Sequence, residues 1–384
     1  MIPSPVLDLD VLLDDPATRI VVCCGSGGVG KTTTAAALGL HAAERGRQVC
    51  VLTIDPARRL AQSLGLAELD NVPREIKGID HRLGGRLFAM MLDMKRTFDE
   101  IVEQHADPER AQQILANPLY QALSSSFAGT QEYMAMEKLG QLQREAQDTG
   151  VWDLIVVDTP PSRSALDFLD APARLGTFLD GRLIRLLSAP ARVGGRAYVR
   201  FLGAGFGLVT GTLNKILGAQ LLNDLQTLVA GLDSVFGGFR ERAEKTYALL
   251  KADGTSFVVV AAPEPDALRE ASYFVERLQN DEMPLAGFVL NRVHHTSVQD
   301  LSPERAAGAA EALEAAGGHG LTAALLRMHS DRVRVIAREH RLLERFSGAH
   351  PDVPVATAPA LPGDVHDLAG LRAVAAALTS EGRP

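Results

Sequence analysis

Between an apolar run, Ile20-Val21-Val22-Cys23-Cys24, and a helix-like run, Thr33 to Arg45, the chain carries Gly25-Ser26-Gly27-Gly28-Val29-Gly30-Lys31-Thr32-Thr33. This fits the pattern GxxxxGK[ST], with Gly25, Gly30, Lys31 and Thr32 in the fixed places. A strand, a glycine turn and a helix start are the context in which that pattern cradles phosphate. Glycines let backbone N–H groups turn inward, and the helix N-terminus adds partial positive charge. Gly27, Gly28, Val29, Gly30, Lys31, Thr32 and Thr33 are therefore the candidate phosphate-binding residues. Lys31 is placed to reach the terminal phosphates, and the Thr32 hydroxyl to hold Mg2+.

A phosphate loop of this kind belongs in a parallel sheet, and further strand-like runs follow it. They are Gln48 to Ile54, ending at Asp55; Arg86 to Leu92, ending at Asp93; Trp152 to Val157, ending at Asp158; Ser256 to Ala261; Ala286 to Leu290; and Asp352 to Ala356, before a C-terminal helix. Each is a short continuous apolar run, as strands buried on both faces require. Helical segments separate them, so the fold class is α/β, a doubly wound and mostly parallel sheet. Asp55, Asp158 and Asn291 then stand at carboxyl ends of strands, where such sheets place their active groups. Two helical insertions interrupt the alternation, at 95–147 and 165–251. They are expected to form one helical subdomain of a single domain spanning 1–384.

Of the 384 residues, 46% are hydrophobic and 22% charged, which suits a soluble globule with a sizeable core. The net charge of −8 argues against a general nucleic-acid-binding surface. The three cysteines, Cys23, Cys24 and Cys50, all fall in expected central strands and show no metal spacing, so they read as buried reduced thiols. Met1 to Arg19 is acidic and lacks the build of a secretory signal. No run reaches the ~20 apolar residues of a membrane span, and the uncharged, glycine-rich stretch Phe201 to Asn214 falls short of it. The expected location is cytoplasmic, with peripheral membrane contact left open.

Nucleotide hydrolysis needs a metal site, a positioned water and charge stabilisation on the transferring group. Leu154-Ile155-Val156-Val157-Asp158 has the form of a Walker B strand, with Asp158 toward the Mg2+ shell. Asp158-Thr159-Pro160-Pro161-Ser162 supplies a stiff turn suited to a switch segment. Asp55, before Pro56 and Ala57, could orient the attacking water or equally cap a helix that begins with Pro56.

These pieces resemble the ArsA-like ATPases, which include the arsenical-pump ATPase and the chaperone ATPase that targets tail-anchored membrane proteins. The matching segments are Gly25 to Thr33, Thr53-Ile54-Asp55-Pro56-Ala57, Asp158-Thr159-Pro160-Pro161-Ser162, Leu290-Asn291-Arg292, and Pro359-Ala360-Leu361-Pro362-Gly363-Asp364-Val365. They span almost the whole chain in the family's order. The chain looks closest to the actinobacterial branch, whose members tend to occur as paralogous pairs. The resemblance implies a P-loop NTPase of the deviant Walker A type that takes ATP and Mg2+. It implies that Lys31, Asp55 and Asp158 are catalytic, with Asp55 positioning the hydrolytic water. Asn291 would read the adenine edge, and the loop carrying Pro359 and Leu361 would cover the base. Thr130 to Gly140 and the second insertion would correspond to the part that handles cargo. The implied cycle is a dimer that opens and closes with ATP and binds or releases a hydrophobic client.

Three departures qualify the likeness. The family's loop usually carries, where this chain has Ser26, a lysine that reaches the partner's nucleotide across the dimer. Ser26 leaves three readings: slow catalysis, a substitute cation, or, the favoured one, a heterodimer with a lysine-bearing paralogue. The zinc-binding Cys-x-x-Cys is missing, so no structural zinc is expected. The separated cysteines that bind arsenite have no counterparts either. Outside the motifs, His294-His295 reads as a solvated loop, and Met90 and Met91 as core. The apolar, arginine-bearing stretch from Arg182 to Leu225 is either an internal hairpin or a client- or membrane-facing surface. The competing function is a nucleotide-binding regulatory or positioning module of the MinD/ParA type, with weak ATPase activity. The weakly charged C-terminus lacks the basic amphipathic face such proteins use.

Overall fold

The computed structural model describes residues 5–55, 59–118, 120–121, 124, 130–160, 239–298 and 300–379. The segment from Arg182 to Leu225 and the end of the switch at Pro161 and Ser162 lie outside the described residues. The described residues divide into two compact units. One is drawn from Met1–Met91, Gly150–Ala165 and Leu250–Pro384, the other from Leu92–Thr149 and Leu166–Leu249.

The first unit is built on eight strands: β1 (Ile20–Cys24), β2 (Gln48–Thr53), β3 (Arg74–Glu75), β4 (Arg86–Met91), β5 (Leu154–Asp158), β6 (Thr255–Ala261), β7 (Leu285–Val293) and β8 (Val355–Pro359). Their order is β3-β4-β2-β5-β1-β6-β7-β8. All neighbours are parallel except β3 with β4. The chain winds from β1 outward through β2 and β4, returns at β5, and then crosses β1 to build the other half. The sheet therefore changes winding direction at β1, and a crevice opens at the carboxyl ends there. Every residue of β1 and β5 is buried, which is why both read as unbroken apolar runs.

Helices cover the sheet. Among the described residues of this unit they are α1 (Leu9–Asp14), α2 (Lys31–Glu44) and α3 (Arg59–Ser63) near the N-terminus. Helix α2 is rich in alanine and buried on nearly every side, because the sheet lies against one face and the C-terminal helix against another. Gly39 lets it approach β2, since a Cβ there would stand 2.6 Å from the Val51 side chain. Arg47, 9% exposed, ties α1 to the sheet by donating to the carbonyls of Leu13, Asp15 and Thr18 and to Asp153.

The second unit contains α4 (Met94–His105), α5 (Pro108–Ala116), α6 (Thr130–Thr149) and the described start of α7 (Phe239–Lys251). Asp93, expected at a strand end, caps α4 by accepting from the Arg96 backbone N–H at 2.9 Å. Tyr133 through Gly140 on α6 are all buried. Within that run Glu137 accepts from Arg242 Nε and the Tyr133 hydroxyl, while Lys138 donates to Glu100.

The chain then returns to the first unit with α8 (Pro265–Asn280), α9 (Pro303–Ala316), α10 (Gly320–Ala349) and α11 (Leu368–Leu378). Helix α11 buries Leu371, Val374, Ala375 and Leu378, packing on α2 and β8. Residues 5–7 pair with the outer edge of β8, which blunts an open strand.

Four sequence expectations change. The last strand is Val355–Pro359 rather than Asp352 to Ala356, because the segment before Val355 turns, with Val353 N–H closing onto His350 O. Strand β7 runs past Leu290 to Val293, so Asn291 lies inside the strand, at a register shift between Leu290 and Val293. Strand β3 was not foreseen; it is two exposed residues with no apolar run to announce it. His294 and His295 do lie in a loop, with His295 exposed and His294 half-exposed, but His294 is anchored: its Nδ1 and backbone N–H reach Glu339 of α10 at 2.7 and 2.8 Å, and Glu339 is 5% exposed. The three cysteines and Met90 are buried, as expected, whereas Met91, also expected in the core, is only half-buried at the end of its strand.

Candidate functional site

The crevice at β1 is lined by the glycine loop and by the segments after β2, β7 and β8. Gly25 leaves β1 with φ +149°, and a Cβ there would stand 2.1 Å from the Val260 carbonyl oxygen of β6. Gly30 has φ +96°, and a Cβ would stand 2.2 Å from Asn291 Nδ2. Both positions exclude a side chain by space as well as by conformation. Lys31 follows as the first residue of α2 and is 6% exposed. Its ammonium donates to the Ser26 carbonyl oxygen at 2.7 Å, folding back along the loop.

Beneath the loop lies Asp158, fully buried at the end of β5. The hydroxyls of Thr32 and Thr53 each donate to its Oδ2 at 2.8 Å. Its Oδ1 is buried with no hydrogen-bond partner. A buried carboxylate oxygen without a donor calls for a cation or a metal-bound water. With the Thr32 hydroxyl beside it, the donor set is all hard oxygen and fits Mg2+. Burial pushes the Asp158 carboxyl up to about 6, against the two hydroxyls and the Lys31 charge, which favour ionisation. Burial likewise pulls the Lys31 ammonium below its ordinary value, with Asp158 opposing.

Thr53 does more than the sequence suggested. Its hydroxyl, donating to Asp158, also accepts from the Asp55 backbone N–H at 3.2 Å. The metal carboxylate and the start of the first switch are thereby linked through one side chain. Asp55 borders the cavity; Pro56 and Ala57, on which its capping role would rest, lie outside the described residues. Asn291 donates from Nδ2 to the Val29 carbonyl oxygen at 2.8 Å and accepts from the Arg292 N–H at 3.0 Å. It braces the loop from β7 and keeps one N–H free for a ligand edge.

The cavity measures about 1070 Å3. It brings together Gly28, Gly30, Lys31, Thr32, Thr33, Asp55, Asn291, Pro359 and Leu361. Gly27 and Val29 belong to the same loop without lining the cavity; the Val29 side chain is buried. Among the lining residues that sequence reasoning passed over are Arg59, Gln62, Ser63 and His366, while Arg292 figured there only within the Leu290-Asn291-Arg292 segment. The first four belong to no motif, and Arg59 stands out in sequence only in following Asp55 by four positions. Among the described residues there is no cluster of metal-ligating side chains apart from this site's oxygens, and no helix is long and apolar enough to cross a membrane.

Comparison with known proteins places this geometry in context. Residues 18–312 match the family described as anion-transporting ATPase. The chain is similar to the ATPase get3 of Pyrenophora tritici-repentis, with 27% identity over 291 residues covering 74% of this chain and 76% of the relative. It is similar to the ATPase GET3C of Arabidopsis thaliana, with 26% identity over 288 residues and 72% and 67% coverage. A third relative, the ATPase get3 of Schizosaccharomyces pombe, is 24% identical over 290 residues, with 74% and 76% coverage.

Proposed function

The chain belongs to the anion-transporting ATPase family and is an ATPase, and from that premise we propose that its Mg2+-dependent hydrolysis of ATP drives an open-to-closed switch in a dimer that binds or releases a hydrophobic client. The observation that carries the hydrolytic reading is the Asp158 carboxylate, with one oxygen held by Thr32 and Thr53 and the other buried without a hydrogen-bond partner. Thr32 and Asp158 would hold Mg2+, which supplies charge neutralisation between the terminal phosphates.

The chain's own residues do the rest. Gly27 to Thr33 present backbone N–H groups to the phosphates, and Lys31 exchanges its bond to Ser26 O for a phosphate oxygen. Asp55 orients the attacking water and accepts its proton. Asn291 reads the base edge, and the loop with Pro359 and Leu361 covers it. Because Thr53 ties Asp158 to Asp55, loss of the terminal phosphate is felt directly at the first switch. Client handling falls to the helical unit, whose described part keeps Tyr133 to Gly140 buried. A site for the client would then have to open in another state of the cycle.

A second reading of the partner rests on Ser26. Its side chain is 8% exposed, with a buried hydroxyl that has no hydrogen-bond partner, and it carries no charge to a neighbouring subunit. A paralogue bearing a lysine at this position would restore that charge in a heterodimer.

Steady-state ATP hydrolysis by the purified chain, across protein concentrations and with Lys31→Ala as the blank, tests the reading. Turnover above the blank that rises per molecule with concentration is expected of a self-dimer. Binding of Mg·ATP with turnover at the blank level is expected if a paralogue completes the site. Failure to bind Mg·ATP at all would sink the proposal.

A further inference from the structure

Three cationic side chains line the cavity: Lys31, Arg59 and Arg292. Lys31 is buried and engaged with the loop. Arg59 and Arg292 are exposed, and neither guanidinium has a carboxylate partner among the described residues. Two guanidiniums without a carboxylate partner, lining the same cavity as the glycine loop and Lys31, offer their charge to an anionic occupant.

The strand order sorts the two. Along the carboxyl edge of the sheet the sequence of positions is β2, β5, β1, β6, β7, β8. Asp55 follows β2 and Asp158 ends β5, so the metal and terminal-phosphate end of the crevice lies on that side of the loop. Asn291, Arg292 and Pro359 belong to β7 and β8, on the far side. Arg59 opens α3 four residues after Asp55, and chain length alone keeps the two Cα atoms within about 14 Å. In chain order Arg59 follows the strand of the reacting end, and Arg292 belongs to a strand of the far side.

We propose that Arg59 is a catalytic residue that stabilises the transferring phosphoryl group from within the same chain. The inference rests on the ATPase reading of the site and adds to it the source of a charge that Ser26 lacks. In the reaction, the water oxygen bonds to the γ-phosphorus. The bond from that phosphorus to the bridging oxygen breaks, its electron pair passes to the β-phosphate, and the water proton passes through Asp55 to solvent. Negative charge spreads over the three equatorial oxygens and the bridge as this happens. A guanidinium is planar and delocalised, with several donors in a fixed fork, and can meet two of those oxygens at once. Lys31, held from below by the loop, meets one. An exposed, unpaired arginine gives up no existing ion pair when it swings in. Turnover then does not depend on a lysine brought by a partner.

The test compares Arg59→Ala, Arg59→Lys and Arg292→Ala for turnover and for equilibrium affinity toward two ligands, Mg·ATP and Mg·ADP with aluminium fluoride, a planar mimic of the transferring group. Arg59→Ala is expected to lower turnover by at least ~100-fold and to weaken the mimic by a similar factor, with ATP affinity changed by less than about threefold. Arg59→Lys should recover part of both losses. Arg292→Ala removes the same charge from the other end, and its loss should fall equally on ATP and on the mimic. Equal weakening of ATP and mimic by Arg59→Ala, or unchanged turnover, overturns the inference. So does a wild-type chain that binds Mg·ATP yet turns over no faster than Lys31→Ala. A wild-type chain that binds no ATP overturns the functional reading itself.

Discussion

Asp158 sits under the glycine loop with both Thr32 and Thr53 on one oxygen and no partner on the other. In the metal-free protein this is costly, because burial raises its carboxyl from the usual 3.8 to about 6. The folded state then holds the proton more tightly than the unfolded one. Its contribution to stability is fully present below the ordinary carboxylate value and is lost as pH rises through about 6. The full effect is on the order of 3 kcal/mol. Asp158→Asn keeps both threonine bonds on its amide oxygen and removes the titration. Urea unfolding without Mg2+ or nucleotide should show wild type losing stability between pH 4 and 6, while the variant stays flat there and is the more stable at pH 7. A variant with the same slope as wild type would show that another group titrates. At this scale the motif residues were legible, since a phosphate loop fixes Gly30, Lys31 and Thr32 by local backbone geometry. Thr53 was not: a threonine two positions before an aspartate is unremarkable until β2 and β5 are paired in register, Thr53 opposite Asp158.

At the scale of elements, Arg47 shows how a short helix is held. Helix α1 has only six residues, too few to persist alone, and three carbonyls around it end on one buried guanidinium. Arg47→Leu would strand those acceptors together with Asp153. The expected loss is about 3 kcal/mol in urea unfolding, with nucleotide affinity little changed because Arg47 does not line the cavity. A loss below about 1 kcal/mol would mean that water replaces the guanidinium. The sequence marked most elements well, because continuous apolar runs bounded by helices have few other readings. It misplaced the last strand, where apolar and proline residues alternate without a clear start, and it missed β3, which has no apolar residue. The anchoring of the loop residue His294 was not foreseen, for a related reason. The partner that defines it, Glu339, lies 45 residues away on α10.

For the whole molecule, every residue that lines the cavity belongs to the sheet-bearing unit. Mg·ATP at a hundredfold excess over its dissociation constant should therefore stabilise that unit by about 2.7 kcal/mol. The shift should appear in the unfolding transition of the wild type and be absent from Lys31→Ala; equal shifts in both would place the nucleotide elsewhere. The sequence by itself determined the phosphate loop, the buried parallel strands and hence the α/β class, because each is a local pattern whose physics is contained in a few neighbouring residues. Only the tertiary structure decided the order of those strands, the brace from Asn291 to a loop 262 residues away, and the lining of one cavity by both Arg59 and Arg292. Those depend on which segments pack side by side, a choice made by burial and chain closure over the whole fold, and no local stretch of sequence carries it.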